Sequence, residues 1–279
     1  MRCLVAFLAV GLGAQVLELS PTHVHNGETL KITAHGAVRK ARLRGRIVEL
    51  FPQEDGSRFG LMPIPVLENP GMYRLELLNE NDTVVDSRPV RVENAHYPKQ
   101  NIVISRKIAS LKPSPGEQET VGAFRKTVSP VRYWKEPFEP PVPGCLTSLF
   151  GVRRLHNGRL TGDFHAGVDQ RGAAGTPIHP IAAGVVKIVH KWNLRGGTVA
   201  VDHGQGVASI YLHMESFAAK EGDHVTTNDV LGYIGSTGRS TGPHVHWSLY
   251  VNGVPVNPGQ WMKLEACPTP PKKHRRKAK

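Results

Sequence analysis

The stretch PHVHWSLY, residues 243–250, alternates like a strand and sets His244 and His246 two positions apart. Residues i and i+2 of a strand share a face, so the two imidazoles project from one surface. Paired imidazoles suggest a metal. A second H-x-H, His23 and His25 in THVHN, has no other chemical group around it, so the pattern alone is weak. Upstream, FHAGVD gives His165 and Asp169 at H-x-x-x-D spacing. Gly167 within it and QRGAAGTP after it argue against a helix. A loop or strand end still aims both side chains at one ion, and His with carboxylate is an ordinary zinc donor set. Between these motifs YLHM sets His213 on a strand beside the bulky Tyr211 and Leu212.

In chain order, FGVRR, FHAGVD, YLHM and STGRSTGPHVHW resemble the lysostaphin-type zinc endopeptidases, family twenty-three of the metallopeptidases, which cut peptide bridges of bacterial peptidoglycan. The resemblance runs from Phe150 to Pro258 and leaves the amino-terminal part of the chain untouched. It implies one Zn2+ per chain on His165, Asp169 and His246, with His213 and His244 as unligated catalytic histidines. That division suits hydrolysis, because three protein ligands leave a position open where four would close the site. A base and an oxyanion donor are then still required, and histidine titrates in the range for both. Which of the two is the base stays open. The other histidines, His35, His179, His190, His203 and His224 among them, read as surface or satisfied interior residues, with His203 in VDHGQG marking a turn. Ser240 and Thr241 line the substrate groove or serve the turn alone. Arg153 reads as a structural or groove-edge residue.

The elements that must position these groups are β strands. Gly (29) and Pro (22) are frequent and aromatics are 6%, which favours turn-rich β structure over long helices. A chain of 279 residues can bury two modest cores. Residues 18–93 show short β runs such as TLKITAHG and GMYRLELLN between turn signals, the pattern of an immunoglobulin-like β-sandwich. Tyr73, just after a Pro-Gly turn, occupies a place similar to a tyrosine corner. Residues 94–145 are a Pro-rich linker and adaptor with a short helical stretch over Gln118 to Lys126. Residues 146–262 are Gly-punctuated and β-rich, and the resemblance implies a lysostaphin-like domain built on a duplicated hybrid motif.

Residues 1–14 have one Arg, a short apolar run and small residues, the layout of an export signal, with an uncleaved anchor as the other reading. Export to the periplasm, envelope or medium leaves Cys145 and Cys267, which bracket the carboxy-terminal domain as a disulfide or stand as unrelated thiols. The tail, residues 263–279, ends PKKHRRKAK and carries six of the net +12 charges, suited to an anionic wall polymer or membrane surface. Export argues against nucleic acid as the partner. Three other functions compete with a peptidase cutting cross-linking peptides. A non-catalytic activator of other wall hydrolases lacks some ligands, whereas all five residues are present here. A biotinyl or lipoyl carrier, echoed by PIAAGVVKIV and EGDHVTTNDVLGYIG, needs a lysine at a hairpin tip in a Met-Lys-Met context, and none occurs. A wall-binding module would hold no metal.

Overall fold

The computed structural model describes residues 15–102, 110–156 and 159–268. The expected export signal and the basic end of the tail lie outside the described residues. The amino-terminal runs form two sheets. One joins Gln15–Ser20, Thr29–His35, Arg58–Pro63 and Phe51–Pro52; the other joins His23–His25, Val84–Glu93, Gly71–Leu78, Lys40–Leu43 and Arg46–Glu49. Period-two alternation turns Leu30, Ile32 and Ala34 inward from the first sheet and Leu43, Leu75 and Leu77 inward from the second, and these meet in one core. The Tyr73 hydroxyl donates to the Asn69 carbonyl at 2.6 Å, which ties the strand start back to its own turn. His25 lies 3.2 Å from Glu28 and His23 3.8 Å from Glu93, so carboxylates absorb this H-x-H pair.

The Pro-rich segment after these sheets packs against the carboxy-terminal body. Lys99–Ile102 runs parallel to Arg153–His156 as part of a small three-stranded sheet. Helix α1 (Glu117–Arg125) has Glu117 and Glu119 in its first turn and Arg125 in its last, signs that complement the helix dipole. Its Val121 and Phe124 bury against Ile188, Trp192 and Tyr250. Further on, Trp134 packs edge-on against Phe138 and Trp261, each at 5.7 Å, inside the main core.

The main sheet is antiparallel and carries the site. Its order is Leu146–Ser148, Val168–Arg171, His244–Val251, Val207–Phe217, Gly196–Gly204, Gly184–Trp192 and His224–Val225, with three short strands paired off this path. Gly196–Gly204 is buried along its whole length, and His203 sits on it rather than at a turn; the turn falls just after, at Gln205 and Gly206. Cys145 and Cys267 are disulfide-bonded with Cα atoms 4.9 Å apart, beside backbone bonds from Leu146 to Glu265 and from Cys267 to Leu146. The first sheets are joined to this body by hydrogen bonds as well as apolar contact. Thr29 N–H donates to the Gln260 side chain at 2.7 Å, the Gln260 amide returns a bond to the Thr29 carbonyl at 2.8 Å, and Leu61 and Val66 enter the core around Trp134. No helix among the described residues is long and apolar enough to cross a membrane.

Candidate metal centre and hydrolytic groove

Register alone brings the distant motifs together. On the antiparallel pair Val168–Arg171 and His244–Val251, Asp169 stands opposite His246 and Arg171 opposite His244. On the other side of the same strand Leu212 pairs with His246, which puts His213 at the next position. His165 enters from the turn before Val168, where its N–H donates to the Val152 carbonyl at 2.9 Å. Gly167 makes this entry possible, since a Cβ there would lie 2.2 Å from the Trp247 carbonyl oxygen and 2.9 Å from His246 Nε2.

His165 Nε2, His246 Nδ1 and Asp169 Oδ1 converge at separations of 3.0, 3.1 and 2.8 Å. The protons on the imidazoles point away from this centre. His165 Nδ1–H donates to the Leu149 carbonyl at 2.9 Å, and a carbonyl can only accept, so the lone pair is on Nε2. His246 Nε2 lies 3.2 Å from Ser248 Oγ, which leaves Nδ1 to face Asp169. With the protons so placed, three acceptors face one another, an arrangement that calls for a cation. Their spacing is near the roughly 3.3 Å edge of a tetrahedron with arms of about 2.0 Å. The donor set fits a zinc-type ion, and it is the one such group of His, Cys, Asp or Glu among the described residues. Burial acts upward on the Asp169 carboxyl, but the adjoining imidazoles of His165 and His246 hold it well below the usual carboxylate range. Burial pushes His246 from 6.5 down to about 4.

Two further imidazoles stand beside this centre, and both are oriented by carbonyls. His213 Nδ1–H donates to Thr237 O and His244 Nδ1–H to Gly242 O, each at 2.8 Å, which turns both Nε2 atoms loose from the backbone. The rings lie 5.0 Å apart, and His213 is 6.2 Å from His246. His213 is held at φ 67, a left-handed conformation that costs a non-glycine residue of order 1–3 kcal/mol. Its surroundings fix it there: its N–H donates to Arg195 O at 3.0 Å, and the Thr237 hydroxyl donates to Met214 O at 2.7 Å. Burial first, and then the charge of His246 and His244, lowers His213 to about 3, so the ring is neutral at ordinary pH.

The structure thus brings together all five sequence-predicted residues. Thr241 lines the same groove, and Ser240 Oγ lies 3.4 Å from His244 Nδ1. Arg153 does not line it; its neighbour Arg154 does, together with Arg125, Arg195 and Arg239. Sequence reasoning passed over these arginines and over Glu117. Glu117 is fully buried, accepts from the backbone N–H groups of Leu194 and Arg195, and pairs with the Arg195 guanidinium at 2.9 Å. Its one visible signal was an acidic residue at the start of a helical stretch.

An antiparallel sheet that presents two imidazoles and a carboxylate at one point, with two oriented imidazoles alongside, defines a candidate metallohydrolase. Residues 163–258 match Peptidase family M23, and all five site residues fall within this segment. The DD-carboxypeptidase/endopeptidase Mpg of Neisseria meningitidis serogroup B is 40% identical over 135 residues, 47% of this chain and 29% of that protein. The peptidoglycan DD-endopeptidase ShyA of Vibrio cholerae is 37% identical over 112 residues, 40% of this chain and 26% of that protein. The chain therefore spans under a third of the length of these relatives. The crystal structure of a putative peptidase M23 from Pseudomonas aeruginosa superposes with a TM-score of 0.63 at 29% identity, over 81% of this chain and 88% of that one.

Proposed function

We propose that the protein is a zinc-dependent endopeptidase that hydrolyses amide bonds in the cross-linking peptides of peptidoglycan and leaves the glycan strands whole. The observation that carries this reading is the convergence of His165 Nε2, His246 Nδ1 and Asp169 Oδ1 within 3.1 Å of one another, beside His213 and His244. In this reading His165, Asp169 and His246 hold one Zn2+. Zinc bound there would lower the pKa of water towards about 7 and polarise the scissile carbonyl. The remaining work falls to the chain itself. With Nδ1–H committed to carbonyls, His213 and His244 offer Nε2 lone pairs to the groove, where one accepts the proton of the attacking water and, once protonated, donates from Nε2–H to the developing oxyanion. Glycan cleavage ordinarily uses two carboxylates flanking the sugar bond, and among the residues lining this groove only Asp169 carries one.

The reading extends to the whole chain. Residues 1–14 serve export to the envelope, 18–93 form a sandwich of immunoglobulin-like architecture, 94–145 adapt it to the peptidase domain 146–262, and the basic tail adsorbs to an anionic surface. The relatives named for peptidoglycan endopeptidase activity support the substrate class. Digestion of purified sacculi followed by mass spectrometry tests the proposal. New amino groups with no new reducing sugar ends are expected; released reducing termini, or cross-links intact after exhaustive digestion with zinc-loaded protein, would refute it.

A further inference from the structure

The groove that holds the five site residues is strongly one-signed. Its walls carry Arg125, Arg154, Arg195 and Arg239 against a single carboxylate, Asp169, and the recess that continues it adds Arg171 with no further acid. Some of this charge is already answered. Asp169 faces His165 and His246 at 3.1 and 2.8 Å, Arg195 is paired with Glu117, and Arg154 feels both Asp169 and Asp163. Arg125 and Arg239 differ: neither makes an ion pair with a carboxylate among the described residues. They come from separate elements, Arg125 from the last turn of α1 and Arg239 from the loop before His244, so their convergence is not a charge run in the sequence. Arg125 is steadied over the Tyr250 ring at 5.5 Å. Burial, and to a smaller degree the charge of Arg239, pushes the Arg154 guanidinium below its ordinary range. Like charges gathered in a partly dry groove repel, and a bound anion relieves that repulsion.

The guanidinium fork matches a carboxylate with two parallel hydrogen bonds, a fit that a neutral amide lacks. We infer that Arg125 and Arg239 are specificity-determining residues that bind carboxylate, so that the groove selects peptides with a free carboxylate near the scissile amide over peptides in which that group is amidated or absent. The inference rests on the peptidase reading of the same site and narrows it. Direct cross-links, whose diaminopimelate keeps a carboxylate, are favoured over neutral glycine bridges.

The test uses two synthetic peptides with one cross-linking amide in common, the first with free carboxylates and the second with carboxamides, and measures both hydrolysis and binding on the full chain. The free-carboxylate peptide is expected to have a kcat/KM higher by about tenfold or more, and the gap should shrink as salt rises from about 0.05 to about 0.5 M. Arg239→Gln and Arg125→Gln should each narrow the preference through KM, and Arg239→Lys should retain part of it. Equal cleavage and equal binding of the two peptides would overturn the inference and leave the peptidase reading standing. Tighter binding of the free-carboxylate peptide with no cleavage of either would uphold the inference and overturn that reading. A preference unchanged in both glutamine variants would remove these arginines from the role.

Discussion

His203 shows what burial alone does to an imidazole in this sheet. It is fully buried, donates from Nδ1 to the Ala183 carbonyl at 2.8 Å, and lies 2.8 Å from Ser209 Oγ on its other nitrogen. Burial lowers its pKa from 6.5 to about 4. The unfolded chain therefore takes up this proton near 6.5 and the folded chain only near 4. Stability from this residue is complete above 6.5 and is lost as pH falls towards 4, by up to about 3 kcal/mol. Denaturant unfolding measured across that interval should show this loss, and His203→Asn should reduce it; a variant with an unchanged pH slope would show that other groups account for it. The contrast with the site also explains what was legible at this scale. His165, Asp169, His213, His244 and His246 each sit in a local motif whose order reveals them, whereas the interior role of His203 depends on Ala183 and Ser209, which no motif marks.

At the scale of elements, α1 couples a segment outside the family match to the groove. The sequence indicated a helix over Gln118 to Lys126, within a residue of the observed Glu117–Arg125, because its charges and apolar spacing are local signals. Its purpose was not legible, since the bond from Arg195 N–H to Glu117 spans 78 positions. Glu117 clamps the turn at Leu194 and Arg195, and that turn accepts the backbone N–H groups of Arg239 and His213. Gly196 beside it sits at φ 68 with no room for a Cβ, which would lie 2.4 Å from Thr237 Oγ1. Helix, turn and the strand Val207–Phe217 thus form one latch that ends at His213. Glu117→Gln leaves the Arg195 charge without its buried partner and should cost about 3 kcal/mol of stability. Activity should fall through kcat, because the His213 ring loses its fixed aim, while the exposed Glu119→Gln should change neither quantity. Stability loss with kcat intact would reduce Glu117 to a structural role.

Across the whole molecule, residues 81 positions apart become neighbours only when the main sheet closes in the right register. A slip of one residue between Val168–Arg171 and His244–Val251 would turn Asp169 or His246 to the opposite face. Closure is reinforced by the Cys145 to Cys267 disulfide, which joins positions 122 residues apart, and by the Trp134, Phe138 and Trp261 cluster that seats the Pro-rich segment on the core. The sequence pointed to a mostly β chain and to the cysteine pair. It did not reveal that residues 94–145 would supply core aromatics, because their proline content masks any periodicity that would mark them as packed. The claim on which the account depends is that one folded chain holds one metal on three residues and keeps two histidines free for chemistry. Zinc content and peptide hydrolysis, measured together on the wild type and five alanine variants, test it most directly. The wild type, His213→Ala and His244→Ala should each retain one zinc per chain, with hydrolysis lowered in the two variants by about 10²-fold or more. His165→Ala, Asp169→Ala and His246→Ala should lose the metal and the activity together; zinc retained at full stoichiometry in all three, or lost in His213→Ala, would contradict the account.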